Sequence, residues 1–190
     1  MKQTIDFLNT QIARLEKKGY EISDKQAYID NILDYMEVVR EIESSNDNTA
    51  VAPSTGAAGF YQFLENTVPT AKNRAKRMHT AEDYVANIPD NALEWDDDQA
   101  GLMFLAHAFG APINEKRTSV GSDELFHRIG TNFDPQAQQD LYMHYHYRAV
   151  PDEATYDRAT RLISDFYTET TKNSGGPVTQ PLYSDKKYLI

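Results

Sequence analysis

Glu43 combines an acid–base group with an unusual position on its helix. The apolar pattern predicts a helix ending near residue 45, in which successive residues are rotated by about 100°. On that wheel Glu43 falls inside the apolar stripe, whereas Glu37 and Glu41 fall outside it. The stripe consists of Ile29, Ile32, Leu33, Met36 and Val39. Desolvation and the negative end of the helix dipole both disfavour a carboxylate there, so Glu43 suits general acid catalysis.

Two other interpretations of Glu43 stay open at the level of sequence. Arg40 also touches the apolar stripe, and buried charges are usually paired, so the two side chains could form a buried ion pair. Alternatively, the helix could fray before residue 43.

A glycine-containing turn follows Glu43 after a loop of small and polar residues. It reads STGAAGFYQF over residues 54–63. Gly56 and Gly59 permit tight turns and the close approach of a bulky ligand to the backbone. Gln62 offers a hydrogen-bond donor and an acceptor, and Tyr61 either lines a cleft or packs in the core.

The Glu43-Ser44 pair and this turn together resemble the first two motifs of the lysozyme-like lytic transglycosylases, most densely over residues 38–70. The resemblance implies a mainly α, lysozyme-like (transglycosylase) catalytic domain over residues 23–170, with Glu43 as catalytic acid and then base. Its substrate would be peptidoglycan, cleaved without a cofactor at the bond between N-acetylmuramic acid and N-acetylglucosamine. The implied substrate-binding residues are Ser44, Ser54, Gly59, Tyr61, Gln62 and Tyr145.

The implied lytic reaction needs one carboxyl group. Glu43 would give a proton to the glycosidic oxygen and then deprotonate the sugar's own C6 hydroxyl, which closes a 1,6-anhydro ring without water. Hydrolysis with two carboxylates differs in this respect. A hydrolytic muramidase with the same cleft and a non-catalytic virion protein with a lysozyme-like fold remain alternatives.

The later part of the chain departs from the family pattern. The nearest candidate for an Ala-Tyr-Asn motif is LAHAF at residues 105–109, which lacks both Tyr and Asn. The segment LYMHYHYRAVPDEAT contains Tyr142 and Tyr145, three residues apart, and resembles phage virion-associated murein-degrading proteins. His144 and His146 point in nearly opposite directions on a helix, unlike metal ligands four residues apart, so no metal site is predicted.

Helices must position these residues, because apolar residues recur at helical spacing and no period-2 strand pattern is present. We expect an N-terminal helix in residues 1–22, a catalytic domain in 23–170 and an extended tail in 171–190. Helix starts are predicted at Ser23 with Gln26 and at Asp134 with Pro135. The acidic run 96–98 is predicted to be a solvated helix start, and the helix that follows it is predicted to end at Phe109.

Composition limits the partners. The chain has 190 residues, a net charge of -10 and no cysteine. That charge argues against broad nucleic-acid binding and against adhesion to anionic membranes, and the absence of cysteine excludes disulfides. Without an apolar leader or membrane span, we expect synthesis in a host cytoplasm, incorporation into a phage virion and action at the cell wall. The tail is expected either to dock on other virion or tail proteins or on a second copy of the chain, or to lie on its own domain or stay disordered.

Overall fold

The protein is mainly α-helical in a computed structural model, which describes residues 1–78, 82–112, 120–143, 157, 160, 161, 163 and 164. The helices in this part of the chain are α1 (Lys2–Lys17), α2 (Lys25–Ser44), α3 (Val68–Arg77), α4 (Glu82–Ala86), α5 (Asp97–Phe109), α6 (Ser122–Asn132) and α7 (Pro135–Leu141). Short 3₁₀ turns cover Glu65–Thr67 and Ala92–Glu94. The predicted mainly α class is confirmed.

Helix α5 forms the centre of the core. Every residue from Ala100 to Phe109 is buried, as expected for a helix that is apolar on all sides. Helices α1, α3 and α6 pack against α5, while α2 packs on α6 and α1. Helix α1 thus shares the hydrophobic core of the residues after position 22.

The helix starts follow the sequence signals with one exception. Asp96 caps α5 in a capping box with Gln99, and Asp134 caps α7 ahead of Pro135. For α2 the prediction of Ser23 was wrong by one residue. The cap is Asp24, whose carboxylate accepts a hydrogen bond from the backbone N–H of Ala27 at 2.9 Å.

The acidic run before α5 does more than begin that helix. Asp98 accepts hydrogen bonds from the backbone N–H groups of Gln3 and Thr4, both at 2.8 Å, and from the Thr4 hydroxyl at 2.8 Å. Helix α1 has no side-chain cap of its own. Asp98 therefore caps α1 from a distant part of the chain, which corrects the expectation that all three aspartates are solvated.

A compact loop joins α2 to the 3₁₀ turn before α3. Within the described residues the loop contains two isolated antiparallel bridges, Val51 with Ala58 and Ala58 with Phe63, and no strand. Gly59 has φ +75°, and a Cβ built on it would lie 2.9 Å from the carbonyl oxygen of Ala92. The loop is thereby held against the 3₁₀ turn that precedes α5.

Several predictions concern residues outside the described part of the chain. These are the substrate-binding role of Tyr145, the opposed histidines His144 and His146, and the tail over residues 171–190. Among the described residues, no helix combines the length and apolar character needed to cross a lipid bilayer.

Candidate active site

Glu43 lies in the last turn of α2 and is half-buried. The helix continues through Ser44, so fraying before residue 43 does not occur. The chain then leaves the helix through Ser45 and Asn46, both in the left-handed conformation. The N–H of Ser45 bonds to the carbonyl of Glu41, and that of Asn46 to the carbonyl of Arg40. These bonds close the helix end and fix the backbone that carries Glu43.

The hydroxyl of Tyr142 donates a hydrogen bond of 2.6 Å to Oε1 of Glu43. Tyr142 is 5% exposed and follows directly on α7, whose start is fixed by the Asp134 cap. A phenol beside a carboxylate holds that carboxylate in one orientation, as a group that transfers protons requires. The family resemblance implied Tyr145 as the tyrosine that lines the cleft, and the contact between Tyr142 and Glu43 was not predicted. The i,i+3 spacing of Tyr142 and Tyr145 was the signal that both could serve the same face.

Arg40 does not form the buried ion pair with Glu43 that the sequence left open. Among the described residues its ion pairs are with Glu37 at 3.7 Å and Asp97 at 3.5 Å. Its guanidinium carbon lies 3.7 Å from the centre of the Phe60 ring, in cation–π geometry. Arg40 therefore stands beside the candidate acid without neutralising it.

Ser44 connects the end of α2 to the glycine-containing turn. Its hydroxyl lies 3.0 Å from the carbonyl oxygens of both Arg40 and Phe60, so one proton is shared between a bond within the helix and a bond to the turn. Ser44 thus supports the turn and brings residue 60 next to residue 43.

Gln62 and Gly59 shape the turn from within. The side-chain amide of Gln62 donates to the carbonyls of Gly59 at 2.9 Å and Ala50 at 3.2 Å. Gln62 itself has φ +47°, a strained conformation that these bonds help to hold. Gly59 is buried against Ala92, so the close approach it permits is to the protein's own backbone. Both residues build the turn, so Gly59 and the Nε2 of Gln62 make contacts within the protein.

Tyr61 is a core residue. It is 2% exposed and stacks on Phe104 with ring centres 4.4 Å apart and an interplanar angle of 11°. Burial raises the pKa of its phenol. The predicted cleft wall is therefore wrong for Tyr61, because a ring this enclosed offers no face to a saccharide. Ser54, by contrast, is exposed at the tip of the 52–57 turn.

A cavity of about 290 Å³ lies at the C-terminal end of α5, lined by Arg14, Arg74, Arg77, Met78, Phe109 and Gly110. Arg40, one helical turn before Glu43, meets Asp97 at the other end of α5. Three arginines near the ends of α1 and α3 offset the negative ends of those helix dipoles. We assign this cavity no part in the chemistry of Glu43.

Comparison with known proteins provides no relative for this arrangement. No protein-family model, curated protein or solved structure matches the chain. Among the described residues, no group of three or more His, Asp or Glu side chains could hold a metal ion.

Proposed function

We propose that this protein is a peptidoglycan lytic transglycosylase with a lysozyme-like fold, in which Glu43 is the acid and the base. The observation that carries the proposal is the setting of Glu43. It is half-buried at a closed helix end, its Oε1 accepts a 2.6 Å hydrogen bond from Tyr142, and Ser44 ties it to the turn at Phe60. This is the arrangement expected of an oriented carboxyl group in a glycan-cleaving site.

In the proposed reaction, Glu43 donates its proton to the glycosidic oxygen as the bond from that oxygen to C1 of N-acetylmuramic acid breaks. The resulting carboxylate then takes the proton of the C6 hydroxyl of the same sugar, whose oxygen bonds to C1. Proton and bond counts balance without water, and Glu43 is returned to its protonated form. Tyr142 positions the carboxyl group through both steps.

The proposal includes delivery of the enzyme to the cell wall by a bacteriophage particle. A net charge of -10 gives the free protein no electrostatic attraction to an anionic wall, so delivery by a larger assembly supplies the local concentration that charge does not. The hydrolytic muramidase differs from this proposal only in the acceptor, which would be water.

Digestion of purified peptidoglycan, followed by mass spectrometry of the released muropeptides, tests the proposed function. We expect 1,6-anhydro ends from the parent protein and at least a 1,000-fold lower rate from Glu43→Gln, which cannot donate the proton. Glu41→Gln is the matched control, because Glu41 is exposed on the same helix and should retain the parent rate. Products with only reducing ends would assign hydrolysis instead.

A non-catalytic virion protein is the second candidate. It is favoured by the burial of Tyr61 and by the use of the Gln62 amide within the turn, since both withdraw expected sugar contacts from the surface. Under this hypothesis the parent protein releases no fragment from any peptidoglycan, and Glu43→Gln has no effect on particle assembly.

A further inference from the structure

Arg40 is a positively charged side chain held one helical turn before Glu43. Its guanidinium group packs over Phe60, with the guanidinium carbon 3.7 Å from the ring centre. The side chain is 14% exposed, so most of it is enclosed while part stays open to solvent. Packing on an aromatic plane fixes the orientation of the planar group before any ligand arrives.

The hydrogen-bonding capacity of Arg40 is unused within the described residues. The oxygen atoms of Glu37 and Asp97 lie 3.7 and 3.5 Å away, beyond the roughly 2.7–2.9 Å of a charge-assisted hydrogen bond. The Nε atom is buried and has no acceptor there. A guanidinium group carries five N–H donors, so this arrangement leaves its terminal nitrogens available for a better acceptor.

The simplest structural role, an ion-pair link between α2 and α5, explains Arg40 poorly. Both partners are exposed to solvent, Asp97 by 60% and Glu37 by 43%. Exposed ion pairs of this kind contribute little. They balance the charge of Arg40, yet they do not account for a guanidinium that is oriented and short of hydrogen bonds.

We propose that Arg40 binds a carboxylate of the glycan substrate, an inference that rests on the proposed function. Residues three apart on a helix lie on one face, with Cβ atoms roughly 5–6 Å apart. A sugar whose glycosidic oxygen is at Glu43 therefore has its substituents within reach of Arg40. N-acetylmuramic acid carries a lactyl carboxyl group, which is either free or continued as a stem peptide that bears further carboxylates. A carboxylate fits the two terminal nitrogens of a guanidinium in paired hydrogen bonds.

Binding to the Glu43→Gln chain isolates recognition from cleavage. Calorimetric titration uses three probes: peptide-free glycan strands, strands that keep their stem peptides, and peptide-free strands whose carboxyl groups have been converted to methylamides. We expect carboxylate-bearing strands to bind about tenfold or more tightly than methylamide strands. Preference for the peptide-free probe assigns the lactyl carboxylate, and preference for the stem-bearing probe alone assigns the peptide.

Adding Arg40→Gln should remove the preference, and Arg40→Lys should retain a small part of it, because lysine keeps the charge without the planar fork. The lysine variant also serves if the glutamine variant does not fold, which circular dichroism reports. Arg77→Gln is the matched control, since it makes the same charge change at an exposed residue by the other end of α5.

Equal binding of all three probes, or a preference that survives Arg40→Gln, overturns the role of Arg40. If the parent protein still cleaves peptidoglycan in that case, the proposed function stands without this inference. A parent protein that neither binds nor cleaves any strand overturns both.

Discussion

At the scale of single residues, the candidate site depends on Tyr142 as well as on Glu43. The phenol of Tyr142 is almost fully buried, and its hydroxyl donates a hydrogen bond to the Glu43 carboxylate. In an enzyme of the proposed kind, such a bond sets the direction in which the acid faces its substrate. In the proposed reaction Tyr142 would be a positioning residue, because it would act through Glu43.

We expect Tyr142→Phe to lower kcat about 10- to 100-fold with little change in KM. The estimate follows from losing one hydrogen bond to a charged group, worth about 1.5–3 kcal/mol. The measurement is the rate of muropeptide release at several substrate concentrations. Tyr20→Phe is the matched control. Tyr20 follows α1 and packs on His127 of α6, so this variant should keep the parent kcat. A parent-like kcat in Tyr142→Phe would contradict the positioning role.

The sequence pattern indicated Glu43 as a candidate acid but did not predict which side chains surround it. The helical wheel singled out Glu43 because the wheel is a local property of α2. The partner of Glu43 is set by how α7 approaches α2, which spacing within one segment does not encode. Tyr61 and Gln62 are residue types that suit a saccharide cleft, which is why the sequence suggested that role. In the structure Tyr61 is buried and the Gln62 amide bonds within the turn, and neither property is encoded in the local pattern.

At the scale of elements, the turn after α2 depends on two glycines in the left-handed conformation. Gly56 and Gly59 have nearly the same backbone angle, φ +73° and +75°. They differ in surroundings: a Cβ at residue 56 meets nothing within 4 Å, whereas one at residue 59 meets the Ala92 carbonyl at 2.9 Å. The pair therefore separates the cost of the left-handed conformation from the cost of a collision.

Gly56→Ala should lower the free energy of unfolding by about 1–2 kcal/mol, the ordinary cost of a left-handed alanine. Gly59→Ala should cost about 1–3 kcal/mol more, because backbone at Ala92 must also move. Urea denaturation of the two variants and the parent measures the difference. Equal losses in both variants would show that the turn is free to shift away from Ala92.

Helix α1 depends on a carboxylate supplied by α5. Burial alone would raise the pKa of Asp98, but hydrogen bonds from Gln3 and Thr4 outweigh it and hold the pKa below its usual range. A depressed pKa means that this contribution to stability is present above the unfolded-state pKa of about 3.9. It is lost as the pH falls through the lower value of the folded state.

Asp98→Ala should therefore cost about 1–2 kcal/mol at neutral pH, in the range of other lost helix caps. The difference in melting temperature between variant and parent should narrow as the pH falls below 4. Asp97→Ala is the neighbouring control, since Asp97 is largely exposed and caps nothing in α1. A difference that stays constant down to strongly acidic pH would exclude the carboxylate as its source.

The helix starts and ends that could be predicted from sequence depend on interactions between residues a few positions apart. The Asp134-Pro135 start, the acidic start of α5 and its end at Phe109 are confirmed. The Asp98 cap was not predictable from local pattern, because the donor amides belong to residues more than 90 positions away. Acidic residues at a helix start are already explained by the helix dipole. Nothing in the local pattern therefore indicated that Asp98 also caps α1.

At the scale of the whole molecule, buried phenols limit stability in alkali. Burial raises the pKa of Tyr28 and Tyr61 above the ordinary value of about 10. A raised pKa contributes stability that is complete below the unfolded-state pKa and is lost as the pH rises through the folded-state pKa.

We expect the free energy of unfolding to fall as the pH rises above about 10, because unfolding releases phenols that then ionise. Titration followed by tyrosinate absorbance, with circular dichroism in parallel, is the measurement. Of the 12 tyrosines, Tyr28 and Tyr61 should ionise only as helix is lost. Ionisation of all 12 with the helix signal intact would contradict their burial.

The capping of α1 by Asp98 also has a consequence for how the chain is made. During translation the α1 segment leaves the ribosome before α5, so the amides of Gln3 and Thr4 cannot bond to Asp98 until residue 98 has emerged. At roughly 5–20 residues per second, that interval lasts on the order of 5 to 20 s. During that interval the amphipathic α1 segment lacks the Asp98 cap on its N-terminal amides and is accessible to chaperones. Helix α1 is thus synthesised before α5 but gains its cap only after residue 98 has emerged, so translation speed over residues 20–98 should affect the yield of folded protein.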